Sequence, residues 1–154
     1  MRNQSLQAGT AAVIRPARAE DQLRITAIRM GVRENQLSDP SKVTQAEVDW
    51  YREQAIFLVA ESDGEIVGFT CANHQTALVW ALFVDPAQEG RGHGRALLDA
   101  ALAKLKAAGH AQAWLTTGGG TRAERFYRRH GWRDMGHSLD GSIIFIRTLS
   151  ETAA

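Results

Sequence analysis

Three glycines at alternate positions, Gly90, Gly92 and Gly94, lie between an apolar run and a long amphipathic segment, and Arg91 and Arg95 stand among them. Glycine lets the backbone turn tightly and brings N–H groups close to a ligand, because it has no Cβ. The first N–H groups of a helix lack partners within it and carry partial positive charge, which favours an anion. The pattern therefore predicts a phosphate-binding turn, to which the two arginines add charge.

This turn lacks the spacing of two common phosphate motifs. A dinucleotide fingerprint beginning at Gly90 needs glycine where Arg95 stands, and one beginning at Gly92 needs glycine where Leu97 stands. The P-loop sequence GK[ST] does not occur in the chain. On these residues alone, a plain glycine-rich turn and helix cap stays an alternative.

The charge is distributed unevenly along the chain. The net charge of the 154 residues is +1, with 18 Lys and Arg against 17 Asp and Glu. Residues 91–133 hold nine basic and two acidic side chains, whereas residues 1–90 hold eight basic and twelve acidic ones. The total excludes a strongly basic nucleic-acid coat, and the distribution predicts an anionic partner for residues 91–133. A solvated basic helix face is the alternative on charge alone.

Length and composition predict one α/β domain over residues 11–150, with tails at 1–10 and 151–154. Cys71 is the only cysteine, which excludes an internal disulfide and a CxxC motif. The five histidines show no metal-ligand spacing, so no metal is expected. The longest apolar run, 77–84, is too short to cross a membrane, and the first ten residues lack the apolar stretch of a signal peptide. We expect a cytoplasmic protein.

Apolar periodicity and turn residues predict alternating strands and helices. Two S/T-x-x-E patterns, at Thr44 and Thr121, are capping boxes and predict helix starts. The predicted helices are Glu20–Met30, Thr44–Glu53, Gly92–Ala108 and Thr121–His130. The predicted strands are Ala12–Pro16, Ile56–Glu61, Glu65–Asn73, Thr76–Val84, Ala111–Thr116, Trp132–His137 and Ser142–Leu149, of which Thr76–Val84 is expected to be buried on both faces. This order predicts a mixed sheet.

Two segments resemble the GNAT superfamily of N-acetyltransferases. Residues 89–94, EGRGHG, are similar to the family pattern Q/R-x-x-G-x-G/A, and residues 123–132, AERFYRRHGW, are similar to A-x-x-F-Y-x-x-x-G-F/W. The order of predicted elements from about Val13 to Leu149 also fits that fold. The resemblance implies a GNAT fold: a mixed, mostly antiparallel central sheet of about seven strands, splayed in the middle and flanked by about four helices.

The resemblance implies acetyl-CoA as co-substrate. The pantetheine arm would pair with the strand at 82–84, and the pyrophosphate would bind the backbone at 90–95. Tyr127 matches the family tyrosine that donates to the CoA sulfur, with a core tyrosine beside Phe126 as the alternative. The expected cofactor-binding residues are Leu82, Phe83, Val84, Glu89, Gly90, Arg91, Gly92, His93, Gly94, Arg95, Gly120, Arg122, Phe126 and Tyr127, and His93 is expected to face solvent.

Two residues depart from the family pattern. Glu89 stands where the family has Gln or Arg, and a carboxylate near a pyrophosphate is mildly unfavourable. Gly120 stands where the family often has Asn, which removes a side-chain contact with the cofactor arm and predicts a mobile loop.

The amine acceptor must be neutral to attack a thioester, so the reaction needs a general base. Glu34 is the expected base, with His74 and Asp49 as weaker candidates. Arg33, Glu34 and Trp80 are the expected acceptor contacts. A surface glutamate and a core tryptophan are the alternative readings of Glu34 and Trp80.

We predict a transfer of acetyl from acetyl-CoA to a primary amine of a small molecule or peptide, by direct attack in a ternary complex. The acidic residues between 34 and 53 favour a cationic acceptor. A GNAT-fold acyl-CoA-binding or sensor module with little catalytic activity is the alternative. Nucleic acid and membrane are not expected as partners, and the resemblance is compatible with a homodimer.

Overall fold

The computed structural model describes residues 12–31 and 44–149. Within these ranges the chain forms seven strands and four α-helices. The strands are β1 (Val13–Pro16), β2 (Ile56–Ser62), β3 (Glu65–Asn73), β4 (Leu78–Val84), β5 (Gln112–Thr117), β6 (Arg133–His137) and β7 (Ile143–Thr148). The helices are α1 (Gln22–Gly31), α2 (Gln45–Gln54), α3 (His93–Ala107) and α4 (Arg122–Arg129).

The strands form one sheet in the order β1-β2-β3-β4-β5-β7-β6. Neighbouring strands are antiparallel throughout except for β4 and β5, which are parallel. The ladder between these two strands contains a single pair, Leu78 with Trp114. Beyond this pair β4 and β5 diverge, so the predicted sheet, mixed and splayed in the middle, is confirmed.

A β-bulge lies in β4 close to the point of divergence. Cys71 of β3 pairs with Ala81 whereas Ala72 pairs with Val79, which leaves Trp80 as the extra residue of β4. The hydroxyl of Thr70, which is fully buried, donates to the carbonyl of Ala81 at 2.7 Å. This bond fixes the backbone beside the bulge.

Helices cover both faces of the sheet. On one face, α1 and α2 bury a cluster that includes Ile28 and Tyr51 against β2 and β3. On the other face, Leu98 and Leu105 of α3 lie in the same cluster as Tyr127 of α4. Strand β3 approaches β4 and α3 closely at Gly68, where a Cβ would lie 2.8 Å from the carbonyl oxygen of Phe83.

Two arginines tie the first helical segment to the sheet. Arg15 of β1 contacts Asp21 at 2.9 Å and Glu61 at 2.7 Å. Its hydrogen bond to Asp21 lowers the pKa of that buried carboxyl. Arg24 of α1 pairs with Asp85, just after β4, at 2.7 Å. The second of these pairs holds α1 against the end of β4, which borders the divergence.

Predicted element boundaries differ from the observed ones by at most two residues, and those of Glu65–Asn73 coincide. The capping box between Thr44 and Glu47 is confirmed, with both reciprocal bonds present. The predicted strand at Thr76–Val84 begins at Leu78, because Ala77 adopts a left-handed backbone with φ of 65°. That strand is also half-buried over much of its length, rather than buried on both faces, because β5 leaves it.

Candidate functional site

A cleft of about 680 Å³ lies at the divergence of β4 and β5. The end of β4, the loop at 86–92, the first turn of α3 and one face of α4 form its walls. Twelve of the fourteen predicted cofactor residues line it: Leu82, Phe83, Val84, Glu89, Gly90, Gly92, His93, Gly94, Arg95, Arg122, Phe126 and Tyr127. The other two, Arg91 and Gly120, are exposed and do not line the cleft.

The glycine turn leaves the N-terminus of α3 open to the cleft. Gly90 and Gly92 have φ of 81° and 86°, a left-handed backbone in which other residues would be strained. Gly92 is the N-cap of α3 and offers no side-chain cap. The first N–H groups of α3 therefore lack an intrahelical partner, which suits an anion.

Glu89 and Arg122 join this loop to the start of α4. Nη1 of Arg122 donates to Oε1 of Glu89 at 2.6 Å, across 33 positions of the chain. The unfavourable carboxylate that the sequence places in the loop thus has a cation beside it.

The loop before α4 is held by its own hydrogen bonds. The N–H of Gly120 donates to Oε1 of Glu124 at 2.7 Å, and the side chain of Thr121 accepts from the N–H of Glu124 at 3.1 Å. The bonds to Gly120 and Arg128 lower the pKa of the Glu124 carboxyl. In the predicted capping box, Glu124 would accept from the N–H of the N-cap residue, Thr121. It accepts instead from the N–H of Gly120, the residue before the N-cap.

Tyr127 is both a core residue and a wall of the cleft. Its side chain is buried, with 7% of the residue exposed, and its ring lies 5.3 Å from Phe126 and 5.6 Å from Trp132 between centroids. Burial raises the pKa of its phenol well above the usual value. A phenol is protonated at neutral pH even at its usual pKa of about 10, and burial favours this form further, so the hydroxyl can donate a hydrogen bond.

His93 is buried, with 3% exposure, so the expectation that it faces solvent is wrong. His93, Leu97 and Ala101 are spaced four residues apart, so they lie on one face of α3, and all three are buried. Burial, and then the charge of Arg91, lower the pKa of its imidazole, which is neutral at pH 7. Helical periodicity carried on to residue 93 would have predicted this position.

The sequence profile of the Acetyltransferase (GNAT) family matches residues 24–132. This chain belongs to the GNAT acetyltransferase family. It is an acyltransferase by that membership, and its seven-stranded sheet with four helices is the GNAT fold. A comparison with curated proteins gives no match.

Solved structures of GNAT proteins superpose on nearly the whole chain. A GCN5-related N-acetyltransferase from Rhodopseudomonas palustris has a TM-score of 0.78 at 18% identity, covering 90% of this chain and 96% of that one. Ard1 from Thermoplasma volcanium has a TM-score of 0.74 at 24% identity, covering 92% and 99%. The PaiA N-acetyltransferase from Thermoplasma acidophilum, in complex with coenzyme A, has a TM-score of 0.74 at 18% identity, covering 90% and 99%. At these identities the likeness shows the fold.

Six residues that line this GNAT cleft were missed by the sequence analysis: Gly31, Pro86, Gln88, Ala123, Arg129 and His130. Arg129 and His130 are the two among them with ionisable side chains. They follow Phe126 by three and four positions on α4, so helical spacing from that residue could have found them. The imidazole Nδ1 of His130 donates to the carbonyl of Phe126 at 2.8 Å, and the two rings lie 4.3 Å apart. This contact holds the His130 ring at the cleft wall.

The predicted acceptor residues are not brought together in the part of the chain that the structure describes. Arg33 and Glu34 lie outside the described residues. Trp80 is half-buried and stacks on Tyr51, with ring centroids 4.4 Å apart, on the face of the sheet covered by α1 and α2. It does not line the cleft that contains Tyr127.

The weaker candidates for the general base have other contacts. Asp49 accepts hydrogen bonds from Arg52 at 3.1 Å and from Gln45 at 2.9 Å. Neither Asp49 nor His74 lines the GNAT cleft.

Cys71 is fully buried in β3, as predicted for a small core residue, and burial raises the pKa of its thiol. A buried, protonated thiol is a poor nucleophile. Across residues 12–31 and 44–149, no group of three or more His, Cys, Asp or Glu side chains gathers to hold a metal ion. No helix in these ranges is long and apolar enough to span a membrane.

Proposed function

We propose that this protein transfers an acetyl group from acetyl-CoA to a primary amine by direct attack within a ternary complex. The observation that carries the proposal is the position of Tyr127. Its buried, protonated phenol lines a cleft that also contains an open strand edge and an uncapped helix N-terminus. Few ligands other than a phosphorylated thioester with an extended amide arm would use all three features.

Three parts of acetyl-CoA, namely its amide arm, its pyrophosphate and its thioester, have a complementary part of the cleft. The arm carries amide groups, which can pair with the edge of β4 at Leu82–Val84 as an added strand does. The pyrophosphate suits the N–H groups at the start of α3 and the positive charge of Arg95. The thioester would then lie between β4 at Leu82–Val84 and Tyr127. The PaiA N-acetyltransferase, which has the same fold, was solved in complex with coenzyme A.

The proposed reaction is a nucleophilic acyl substitution. The neutral amine nitrogen forms a bond to the thioester carbon, and the developing oxyanion accepts from a backbone N–H of β4 near Leu82–Val84. The carbon–sulfur bond breaks, and the hydroxyl of Tyr127 gives its proton to the departing sulfur. The proton lost by the nitrogen passes to a general base, for which Glu34 is our proposal. Arg33 and Trp80 are the proposed acceptor contacts.

The second candidate is a module that binds an acyl-CoA with little chemistry. Glu89 and Gly120 favour it, because each replaces a residue type with which the family pattern contacts the cofactor. This candidate shares the cleft and differs only in turnover.

One experiment separates the two candidates. The melting temperature is measured with and without acetyl-CoA, and release of CoA thiol is followed with amino acids, polyamines, aminoglycosides, small xenobiotic amines and peptide N-termini. A thiol reagent reports released CoA, because Cys71 is the only cysteine and is buried. Stabilisation together with amine-dependent thiol release supports the transferase. Stabilisation without release from any amine supports the binding module, and no stabilisation contradicts both.

A further inference from the structure

The ion pair between Glu89 and Arg122 lies at the mouth of the cleft, and both residues line it. Glu89 occupies the position where the family pattern has a cation or an amide. Arg122 is the first residue of α4 and reaches back to this carboxylate at 2.6 Å. The loop that would meet a pyrophosphate therefore carries a negative charge with a positive charge directly beside it.

Stability of the fold does not explain this pair. The side chains of Glu89 and Arg122 are 32% and 57% exposed, and exposed ion pairs contribute little to stability. A cation in the first turn of a helix also opposes the helix dipole. Arg122 thus occupies a position that is unfavourable for α4 itself, which points to a role in binding.

The charges of the two residues act on a bound phosphate with opposite signs. A unit charge about 7 Å from a doubly charged pyrophosphate changes its binding by roughly fivefold to tenfold in water. Because Glu89 and Arg122 are in contact, they stand at similar distances from any phosphate in the loop. Their effects on binding are therefore similar in size and opposed.

We propose that Arg122 is the compensating residue for Glu89: it cancels the repulsion that this carboxylate exerts on the phosphates of acetyl-CoA. The inference rests on the proposed function, since it needs acetyl-CoA in this cleft. It explains how the chain carries an acidic residue in a phosphate-binding loop. The backbone N–H groups then supply the affinity, and the ion pair as a whole is nearly neutral toward the ligand.

The test is a set of four proteins: the unchanged chain, Glu89→Gln, Arg122→Gln and the double variant. The dissociation constant for acetyl-CoA is measured by calorimetry at low salt. We expect Arg122→Gln to weaken binding by roughly fivefold to tenfold and Glu89→Gln to strengthen it by a similar factor. The double variant is expected within about threefold of the unchanged chain, and both single effects shrink at high salt.

Two controls exclude a merely structural role. The variant Arg125→Gln removes an exposed arginine of α4 that does not line the cleft, and it should change binding by less than about twofold. With S-acetylpantetheine, which has the thioester but no pyrophosphate, the KM should be the same for all four proteins. A loss of similar size with this truncated thioester would show that Arg122→Gln distorts the cleft.

Two results would overturn the inference. A double variant as weak as Arg122→Gln would make Arg122 a direct phosphate ligand, independent of Glu89. Weaker binding by Glu89→Gln would make the carboxylate an orienting group rather than a compensated one. Absence of acetyl-CoA binding by the unchanged chain is a different result, because it contradicts the proposed function itself.

Discussion

Replacing Tyr127 by Phe tests the proposed proton donor with the removal of a single oxygen atom. Aromatic rings surround Tyr127, including Phe126, Trp132 and Phe145 at centroid distances of 5.3, 5.6 and 6.0 Å. The phenylalanine ring fills the same space, so we expect the free energy of unfolding to change by no more than about 1 kcal/mol. A positioned proton donor contributes about 10²- to 10⁴-fold to a rate. We expect the lower end, about 100-fold in kcat or about 2.7 kcal/mol, because the cleft admits water that can also protonate sulfur.

The assay is steady-state CoA release with the amine found in the acceptor screen. The KM for acetyl-CoA should change by less than about threefold, because β4 and the glycine turn, rather than the phenol, would carry most of the binding. Tyr51→Phe is the matched control: it removes the same atom from the other tyrosine, whose pKa burial raises to about 12, on the opposite face of the sheet. We expect that variant to keep its kcat within about threefold. A Tyr127→Phe protein that is folded, binds acetyl-CoA and turns over normally would refute the reasoning.

Three further predictions concern the framework of the cleft. Thr70→Val removes the hydroxyl that donates to the carbonyl beside the bulge and should lower the free energy of unfolding by about 1–2 kcal/mol. The control Thr116→Val, at an exposed threonine, should change the free energy of unfolding by no more than about 0.5 kcal/mol. Urea titration measures both. Equal effects of the two valines would argue against the bulge bond. Gly68→Ala should lower the free energy of unfolding by about 2 kcal/mol and weaken acetyl-CoA binding, because the new Cβ would push β4. In the control Gly118→Ala, the new Cβ would lie 3.5 Å from the side chain of Thr121, and the free energy of unfolding should fall by less than about 1 kcal/mol. Asp21→Asn should cost about 2 kcal/mol at pH 7. Because its arginine partner lowers the pKa of Asp21 in the folded state, this difference is full above about pH 4 and is lost as the pH falls further, which urea midpoints at pH 7 and pH 3 would show.

The parts of the fold that depend on contiguous residues could be predicted from the sequence. The turn containing Gly90 and Gly92 is one such part, because its glycines, its helix start and its open N–H groups lie within a few residues of one another. The helix with Tyr127 is another, because capping at Thr121 and apolar spacing define it locally. The family resemblance then added what local patterns leave open: a central sheet of about seven strands that is mostly antiparallel and splayed in the middle.

Features that depend on contacts between distant residues could not be predicted. The pairing of Glu89 with Arg122 requires the start of α4 to lie beside the loop before α3, which only the packed sheet determines. The bulge at Trp80 depends on the register of β4 against β3, and no local pattern marks it. The same register places the Trp80 side chain against the ring of Tyr51, rather than in the cleft.

The ladder between β4 and β5 contains one pair, Leu78 with Trp114, so few backbone hydrogen bonds connect the two parts of the sheet. Trp114 makes two of the hydrogen bonds that connect them: its backbone N–H donates to the carbonyl of Ala77 at 3.1 Å, and its indole N–H donates to the carbonyl of Thr76 at 3.1 Å. A ligand bound along β4 at Leu82–Val84 would fill the space between the two diverging strands. We therefore expect hydrogen exchange at the backbone of Leu82–Val84 to slow when acetyl-CoA fills this space, because its arm would pair with that edge of β4.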